Sequence, residues 1–300
     1  MDVKENLIKY LKDFNFDDEA RESILRALDN MLLVCGLGEK LSEFIEQYKS
    51  GTLDYDNLCL AADKAAEASG IHPSEASFIH IASLCNFALP YYEKANLSSD
   101  VWYDSMMDLK WKIREHKKVY GIWGINCASW SKRFFSAERM AFGRLQYNLL
   151  ECERSFKGKA VQVEKGQTVV TIHIPTDDRT PFNRENRLKS YRQAAEYFSR
   201  FFEGGRFVFR CGTWLLHPEH RRILPEGSNI RSFLDDFELD FDSFTETDAN
   251  IWRLFYIKNW DGNPDSLPGD TSLMRTYKDF IKNGGRLGSM VGFRPSDKLD

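Results

Sequence analysis

The stretch TVVTIHIP (168–175), TDDRTPFN (176–183), RENRLKSYRQAAEYFSRFF (184–202) and RFVFRC (206–211) decides the fold. Its first and last pieces read as strands. The third reads as a helix that buries Leu188, Tyr191, Ala194, Ala195, Phe198 and Phe201 on one stripe. Thr180 followed by Pro181 predicts its start, and Gly204 its end. Two strands joined by one helix form a crossover, so they are expected to be parallel with a right-handed link. Upstream, MAFGRLQYNLLECE (140–153), KAVQVEK (159–165) and TVVTIHIP predict a three-stranded antiparallel meander, with turns at Lys157-Gly158 and Lys165-Gly166 whose glycines are able to take positive φ. A mostly antiparallel sheet with one parallel step has a weak point where two strand ends can splay. A thin, extended ligand fits such a place.

Downstream, a short helical piece is expected around PEHRRIL (218–224), then a helix SNIRSFLDDF (228–237) capped by Ser228. A strand IWRLFYIK (251–258), a loop DGNPDSLPGD (261–270) and a helix TSLMRTYKDFIKNGG (271–285) follow, the helix burying Leu273, Tyr277, Phe280 and Ile281. A last strand, RLGSMVGF (286–293), closes the chain. Residues up to about Trp130 read as helices throughout, and the pattern changes at Arg133. One helix is expected from Ser99-Asp100 through VWYDSMMDLKWKIREH, with the basic run KWKIREHKK (110–118) as a solvated face. The fold class is therefore α+β: a helical N-terminal domain, 1–132, before a mixed, mostly antiparallel sheet flanked by helices, 133–300.

Three hundred residues, 42% of them hydrophobic, suffice for two packed domains. The net charge of −4 argues against nucleic acid as the main partner. The six cysteines are scattered, without CxxC pairs or zinc spacing, and no metal is expected. The amino terminus MDVKENLIKYLKDF is an acidic amphipathic helix rather than a leader, and no apolar run approaches the roughly 18 residues of a membrane span. A cytoplasmic chain with reduced thiols is expected. The sequence contains no P-loop, GxSxG, HExxH or GxGxxG motif.

The order meander, helix, parallel strand, helix, strand, helix, strand resembles the GNAT acyltransferase fold. That resemblance implies coenzyme A as co-substrate, its pantetheine arm between two diverging strands. It puts the pyrophosphate at the start of the joining helix, where backbone N–H groups attract anions. IHIPTDDRTPF (172–182) occupies the pyrophosphate loop's place, so Ile174, Thr176, Arg179 and Thr180 are the implied contacts. Arg179 stands at the basic position, and the family's glycines are absent. NIRSFLDDFELDF (229–241) resembles the segment whose Asn, small residue and Phe correspond to Asn229, Ser232 and Phe241. Asp236 stands where the family has the Tyr that protonates the departing thiolate. The strings YGIWG with Trp130, FGRLQY, IHIP, TWLLHP with LPEGSNI, and DTSLMR followed by NGGR look like bacterial proteins that join an N-acyltransferase N-terminal domain to a GNAT-like C-terminal domain.

Acyl transfer from a thioester needs a polarised carbonyl, a deprotonated acceptor and a proton for the leaving thiol. The resemblance puts the polarising backbone N–H near His173 and Ile174. His173 shares a strand face with Thr171 and reads either as general base or as a hydrogen-bonded strand-end histidine. Cys211 reads either as a nucleophile served by His173 or as a small thiol filling space. Arg144 and Gln146, two apart on one strand, line a substrate pocket or form a structural pair. Asn229 contacts pantetheine or caps its helix, and Trp214 is a substrate platform or a core anchor. Arg275 is a candidate phosphate contact.

The expected function is transfer of an acyl group from acyl-CoA, or from the pantetheine of an acyl-carrier protein, to a small-molecule amine or similar nucleophile by direct attack. Two rivals are a non-catalytic acyl-thioester binder and a Cys211-dependent acyl-enzyme.

Overall fold

The computed structural model describes residues 2–177 and 179–298. The chain divides into two compact units, one running to Met140 and the other from Ala141 on.

The first unit is helical: α1 Val3–Asp13, α2 Asp18–Leu32, α3 Leu37–Ser50, α4 Tyr55–Ser69, α5 Pro73–Ala82, α6 Leu89–Lys94, α7 Ser99–Met106, α8 Asp108–Tyr120 and α9 Ala128–Phe135. Helix α9 carries the helical run past Arg133. The single helix expected from Ser99 divides at Met107, and Ser98 supplies the cap by accepting from the N–H of Val101. The run KWKIREHKK is not a solvated face. Lys110, Trp111, Ile113, Glu115 and His116 are buried. The cations are held close by: Lys110 Nζ donates to the Asn15 carbonyl, and Arg114 grips Asp17 at 2.7 and 2.8 Å.

Strand β1 Arg139–Phe142 spans the boundary, and the second unit continues with β2 Leu145–Glu151, β3 Phe156–Lys157, β4 Gln162–Val163, β5 Thr168–His173, α10 Arg184–Phe198, β6 Val208–Thr213, α11 His220–Ile223, α12 Asn229–Leu234, β7 Glu238–Glu246, α13 Ile251–Phe255, α14 Ser272–Lys282 and β8 Gly288–Pro295. The main sheet runs β1-β2-β5-β6-β8-β7, with β5 and β6 parallel and β2–β5, β6–β8 and β7–β8 antiparallel. The α+β class stands, and the crossover β5-α10-β6 is the expected one.

Several local expectations need correction. The meander's strands are β1, β2 and β5. KAVQVEK contributes only Gln162–Val163 to a separate two-stranded ribbon with Phe156–Lys157. Gly166 has the expected positive φ, 83°. Gly158 does not need one, but a Cβ there would lie 1.8 Å from an oxygen of Glu238. That carboxylate accepts the N–H groups of Lys159 and Ala160 at 2.7 and 2.8 Å. Helix α10 starts at Arg184 with Asn183 as its cap, and Phe201 is exposed on a 3₁₀ turn. IWRLFYIK forms α13, ended by Tyr256 at φ 53°, and is not a strand. The strand is β7, whose register with β8 slips between Asp240 and Thr245 and whose Phe241 is exposed.

Helices α13 and α14 build their own core from Ile251, Leu254, Phe255, Met274, Tyr277 and Phe280. Leu273 and Ile281 pack on its margin. His220 is fully buried beside this core. Its ring contacts the Leu215 carbonyl at 3.0 Å and the hydroxyl of Tyr277. Burial holds its pKa down to about 4, from an ordinary 6.5. Above 6.5 the ring is neutral whether the chain is folded or unfolded. Below that the unfolded chain takes the proton first, so stability falls as pH drops from 6.5 toward 4. The expected loss from this one group is about 3 kcal/mol. Urea unfolding at pH 7 and pH 4 measures it, and His220→Gln should flatten the dependence by that amount.

Candidate active site

Strands β5 and β6 pair at only two positions, Val170 with Phe209 and Thr171 with Arg210. Each continues beside its other neighbour: β5 stays with β2 as far as His173, and β6 with β8 as far as Thr213. The two strands therefore part after Thr171 and Arg210, toward their C-terminal ends. In open sheets that contain parallel strands, ligands bind at such ends, where neighbouring connections leave in different directions.

Paired residues share a face of the sheet, and alternation assigns the rest. Gln146, Asn148, Thr171, His173 and Arg210 lie on one face. Toward the opposite end that face is apolar and covered: Val169, Phe293 and Cys152 pack with Val161 and Val163. The other face carries Tyr147, Val170, Ile172, Phe209 and Cys211. It packs on α10 through Tyr147 and Tyr191, whose rings each lie 5.8 Å from Phe209. The polar end of the first face is the chemically equipped one. There His173 Nε2 lies 2.8 Å from Asn148 Oδ1.

Cys211 is not brought to His173, because strand alternation points it to the opposite face. It is fully buried, and desolvation pushes its thiol up to about 12 despite the adjacent Arg210 cation. No thiolate forms there near neutral pH.

Arg144 is in the turn before β2, not on a strand with Gln146. It is buried, and its Nη1 donates to the carbonyl of Pro175 at 2.9 Å, just past β5. Its guanidinium stands 5.1 Å from the Phe182 ring, and its Nε has no hydrogen-bond partner. Desolvation lowers its pKa against the opposing pull of Asp177. Ile174 and Thr180 are half-buried in the following loop, whereas Thr176 and Arg179 are exposed. The N–H of Arg179 donates to Asp177 Oδ1 at 2.8 Å. At the start of α10, the Asn183 side chain accepts from the N–H of Asn186 at 2.9 Å. The loop thus turns with side-chain acceptors where the family uses glycines.

Where the family's Tyr would stand, Asp236 is buried and accepts from Arg187 Nε at 2.7 Å and from the Tyr191 hydroxyl at 3.0 Å. Arg187 is fully buried and also donates to Ser232 Oγ and the Phe182 carbonyl. Ser232 is thereby tied to this ion pair. Asn229 is exposed, and the cap of α12 is Ser228, which accepts from the N–H of Arg231. Trp214 anchors a core, packing edge-on against Tyr277 at 5.8 Å. Arg275 is taken up by the carbonyls of Gly269 and Asp270. The described residues contain no His/Cys/Asp/Glu group suited to a metal ion, and no helix among them is long and apolar enough to cross a membrane.

Sequence reasoning missed Asn148 and Arg187. The alternation of Gln146 and Asn148 within LQYNLLE could have found the first. The second pairs across 49 positions, beyond the reach of any local pattern.

Two family models match. The one described as the GNAT-like C-terminal domain covers residues 140–294, and that of the N-acyltransferase N-terminal domain covers 5–137. No curated protein matches the chain. Among solved structures, an acyltransferase mutant in complex with octanoyl-CoA shares the fold with a TM-score of 0.70 at 18% identity. That match covers 97% of this chain and 87% of the other. An acyltransferase in complex with CoA and 10C-teicoplanin matches with a TM-score of 0.65 at 18% identity, covering 98% and 99%. A third, in complex with decanoyl-CoA, has a TM-score of 0.64 at 15% identity over the same shares.

Proposed function

Since the chain belongs to the family defined by the GNAT-like C-terminal domain, here preceded by the N-acyltransferase N-terminal domain, we propose that it transfers an acyl group from acyl-CoA to a small-molecule nucleophile. The parting of β5 and β6 just before His173 carries this reading, because it opens a slot beside a titratable ring. Pantetheine enters that slot, and the backbone N–H groups near His173 and Ile174 meet the thioester carbonyl. The coenzyme's phosphates lie toward the loop from Ile174 to Asn183. Arg144, with its unpartnered Nε, and the exposed Arg179 supply positive charge there in place of a glycine cradle. His173 takes the proton of the attacking amine or similar group in a ternary complex as the new bond to the acyl carbon forms. The thioester C–S bond breaks, and the coenzyme leaves as its thiolate, which takes a proton from the His173 imidazolium or from solvent. The acyl donor is acyl-CoA or the same pantetheine arm on a carrier protein. The structural relatives hold CoA, acyl-CoA and a teicoplanin, which supports a thioester donor and a small-molecule acceptor as substrate classes.

One observation favours a second reading, a non-catalytic acyl-CoA binder: Asp236, in the proton donor's place, is locked by Arg187 and Tyr191. A Cys211 acyl-enzyme has against it both the face and the burial of that thiol. Titration calorimetry tests the shared element. Coenzyme A is expected to bind with a Kd in the micromolar range, about −8 kcal/mol. Absence of heat with both coenzyme A and octanoyl-CoA would sink both readings. Binding without turnover across amine and hydroxyl acceptors would select the binder.

A further inference from the structure

Arg210 is the last residue of β6 to pair with β5 before the two strands part, and it stands opposite Thr171. Alternation puts it on the face that carries Thr171 and His173. Its guanidinium lies over the next residue of that face, the exposed Gly212. A Cβ there would stand 3.4 Å from Nη1 and 3.7 Å from Nη2. Continued pairing would set His173 opposite Gly212, so the cation sits beside the mouth of the slot on the imidazole's side. Arg210 is half-buried, yet it has neither a hydrogen-bond acceptor nor a carboxylate partner among the described residues. The second unit's other arginines that are not exposed, Arg144, Arg187, Arg231 and Arg294, all donate to protein acceptors. The acids in line with Arg210 and Gly212 across β8 and β7 are Glu238 and Asp240. Both are engaged elsewhere, Glu238 by the N–H groups of Lys159 and Ala160 and Asp240 by Arg154 at 3.4 Å. A cation that has given up part of its water without gaining an anion is costly to hold, and an incoming anion offsets that cost.

We propose that Arg210 binds an anionic group of the acyl acceptor, a carboxylate or phosphate a few bonds from the nucleophile, so that acceptors of amino-acid type are the preferred class. The proposal rests on the acyl-transfer reading for the identity of the bound molecule. The coenzyme's own phosphates are assigned to the loop before α10, and α10 packs on the opposite face of the sheet, where Tyr191 meets Phe209. That leaves the acceptor as the bearer of the anion at Arg210. The planar fork of arginine pairs two N–H groups with two oxygens of one anion, which fixes a direction as well as holding the molecule. The amine of an acceptor anchored there points across the opening toward the thioester. Arg210 takes no part in making or breaking bonds.

The test is octanoyl transfer by the full-length protein from octanoyl-CoA to α-amino acids and to phosphoethanolamine, each beside the amine that lacks the anion, with release of coenzyme A as the readout. The anionic acceptors should lead in kcat/KM by about tenfold or more. Arg210→Gln should raise KM for them about 10- to 100-fold, with KM for octanoyl-CoA held within about threefold, and Arg210→Lys should recover part of the loss. Equal losses for an acid and its matching amine overturn the proposal, as does a preference for the neutral amines in the unaltered protein. A Kd for coenzyme A weakened about tenfold in Arg210→Gln puts the coenzyme's phosphate at Arg210 and also overturns it. So does a preference for succinyl-CoA over butanoyl-CoA that Arg210→Gln abolishes, since the anion then belongs to the acyl group. In protein labelled with nitrogen-15 at arginine, the Arg210 Nε–H signal, identified by its loss in Arg210→Gln, should move on titration with N-octanoylglycine and stay in place with N-methyloctanamide. If no acceptor turns over, the acyl-transfer reading falls. A signal that moves then still upholds the anion site, and one that stays overturns it.

Discussion

His173→Gln is expected to lower kcat by about 10²- to 10⁴-fold and to leave the Kd for coenzyme A within a few-fold. Glutamine can still donate toward Asn148 Oδ1, so the buried amide keeps a partner and the strand end keeps its hydrogen bond. It cannot take a proton from an acceptor at neutral pH. On the proposed mechanism the loss falls on the chemical step and spares coenzyme binding, which that mechanism assigns to the strand-end backbone and the loop beyond it. Cys211→Ala is the matched control. That thiol is buried on the opposite face with its pKa pushed to about 12, so its removal should change kcat by less than about twofold. Rates with octanoyl-CoA, read beside calorimetric affinities, separate the two. A large drop for Cys211→Ala with little change for His173→Gln would reverse the assignment and restore the covalent mechanism.

Arg187→Met should destabilise the second unit by about 3–5 kcal/mol. The guanidinium is fully buried, with Asp236, Ser232 and the Phe182 carbonyl as partners. It lies between the Phe182 and Phe233 rings at 5.2 and 5.5 Å. Methionine fills much of the same volume but leaves the Asp236 carboxylate buried without its cation. The remaining donor to the same oxygen is the neutral hydroxyl of Tyr191. Asp236→Asn added to Arg187→Met removes the stranded charge while still accepting from Tyr191, and should recover a large part of the loss. Urea unfolding of the two single variants and the double variant gives the coupling directly. Additive losses would mean that the pair does not act as a unit. Coenzyme A affinity should also fall in Arg187→Met, because this pair ties the start of α10 to α12.

The parts of the fold legible in the sequence are those with strong, uninterrupted patterns. TVVTIHIP, the α10 stripe and RFVFRC gave the parallel crossover because each segment is strongly patterned, the strands carrying apolar residues on both faces of the sheet and the helix on one stripe. IWRLFYIK misled because a run of aromatic and aliphatic residues reads as a buried strand. It is buried, but as a five-residue helix packing on α14. ELDFDSFTE escaped notice as a strand because β7 is an edge strand with most of its residues at least partly exposed, and its acidic residues blur any alternation. His173 was legible as a candidate from its place at the end of β5. Asn148 was visible only through the register, since an asparagine within a strand carries no signal until its partner across the ladder is known. The Arg187–Asp236 pair brings together residues whose segments look independent, and Asp236 could be read only as a departure from a family pattern.

The outermost strand, β7, has a further implication for how this protein behaves at high concentration. An open sheet margin offers unpaired N–H and C=O groups on which another molecule can polymerise. Here the ladder slips between Asp240 and Thr245. Of the alternating acids Glu238, Asp240 and Asp242, only the last stands exposed, since Glu238 is held by the N–H groups of Lys159 and Ala160 and Asp240 is buried beside Arg154. A second molecule laying the same strand alongside would meet a kinked backbone and the Asp242 carboxylate, which works against templated growth, although the margin also bears the exposed ring of Phe241.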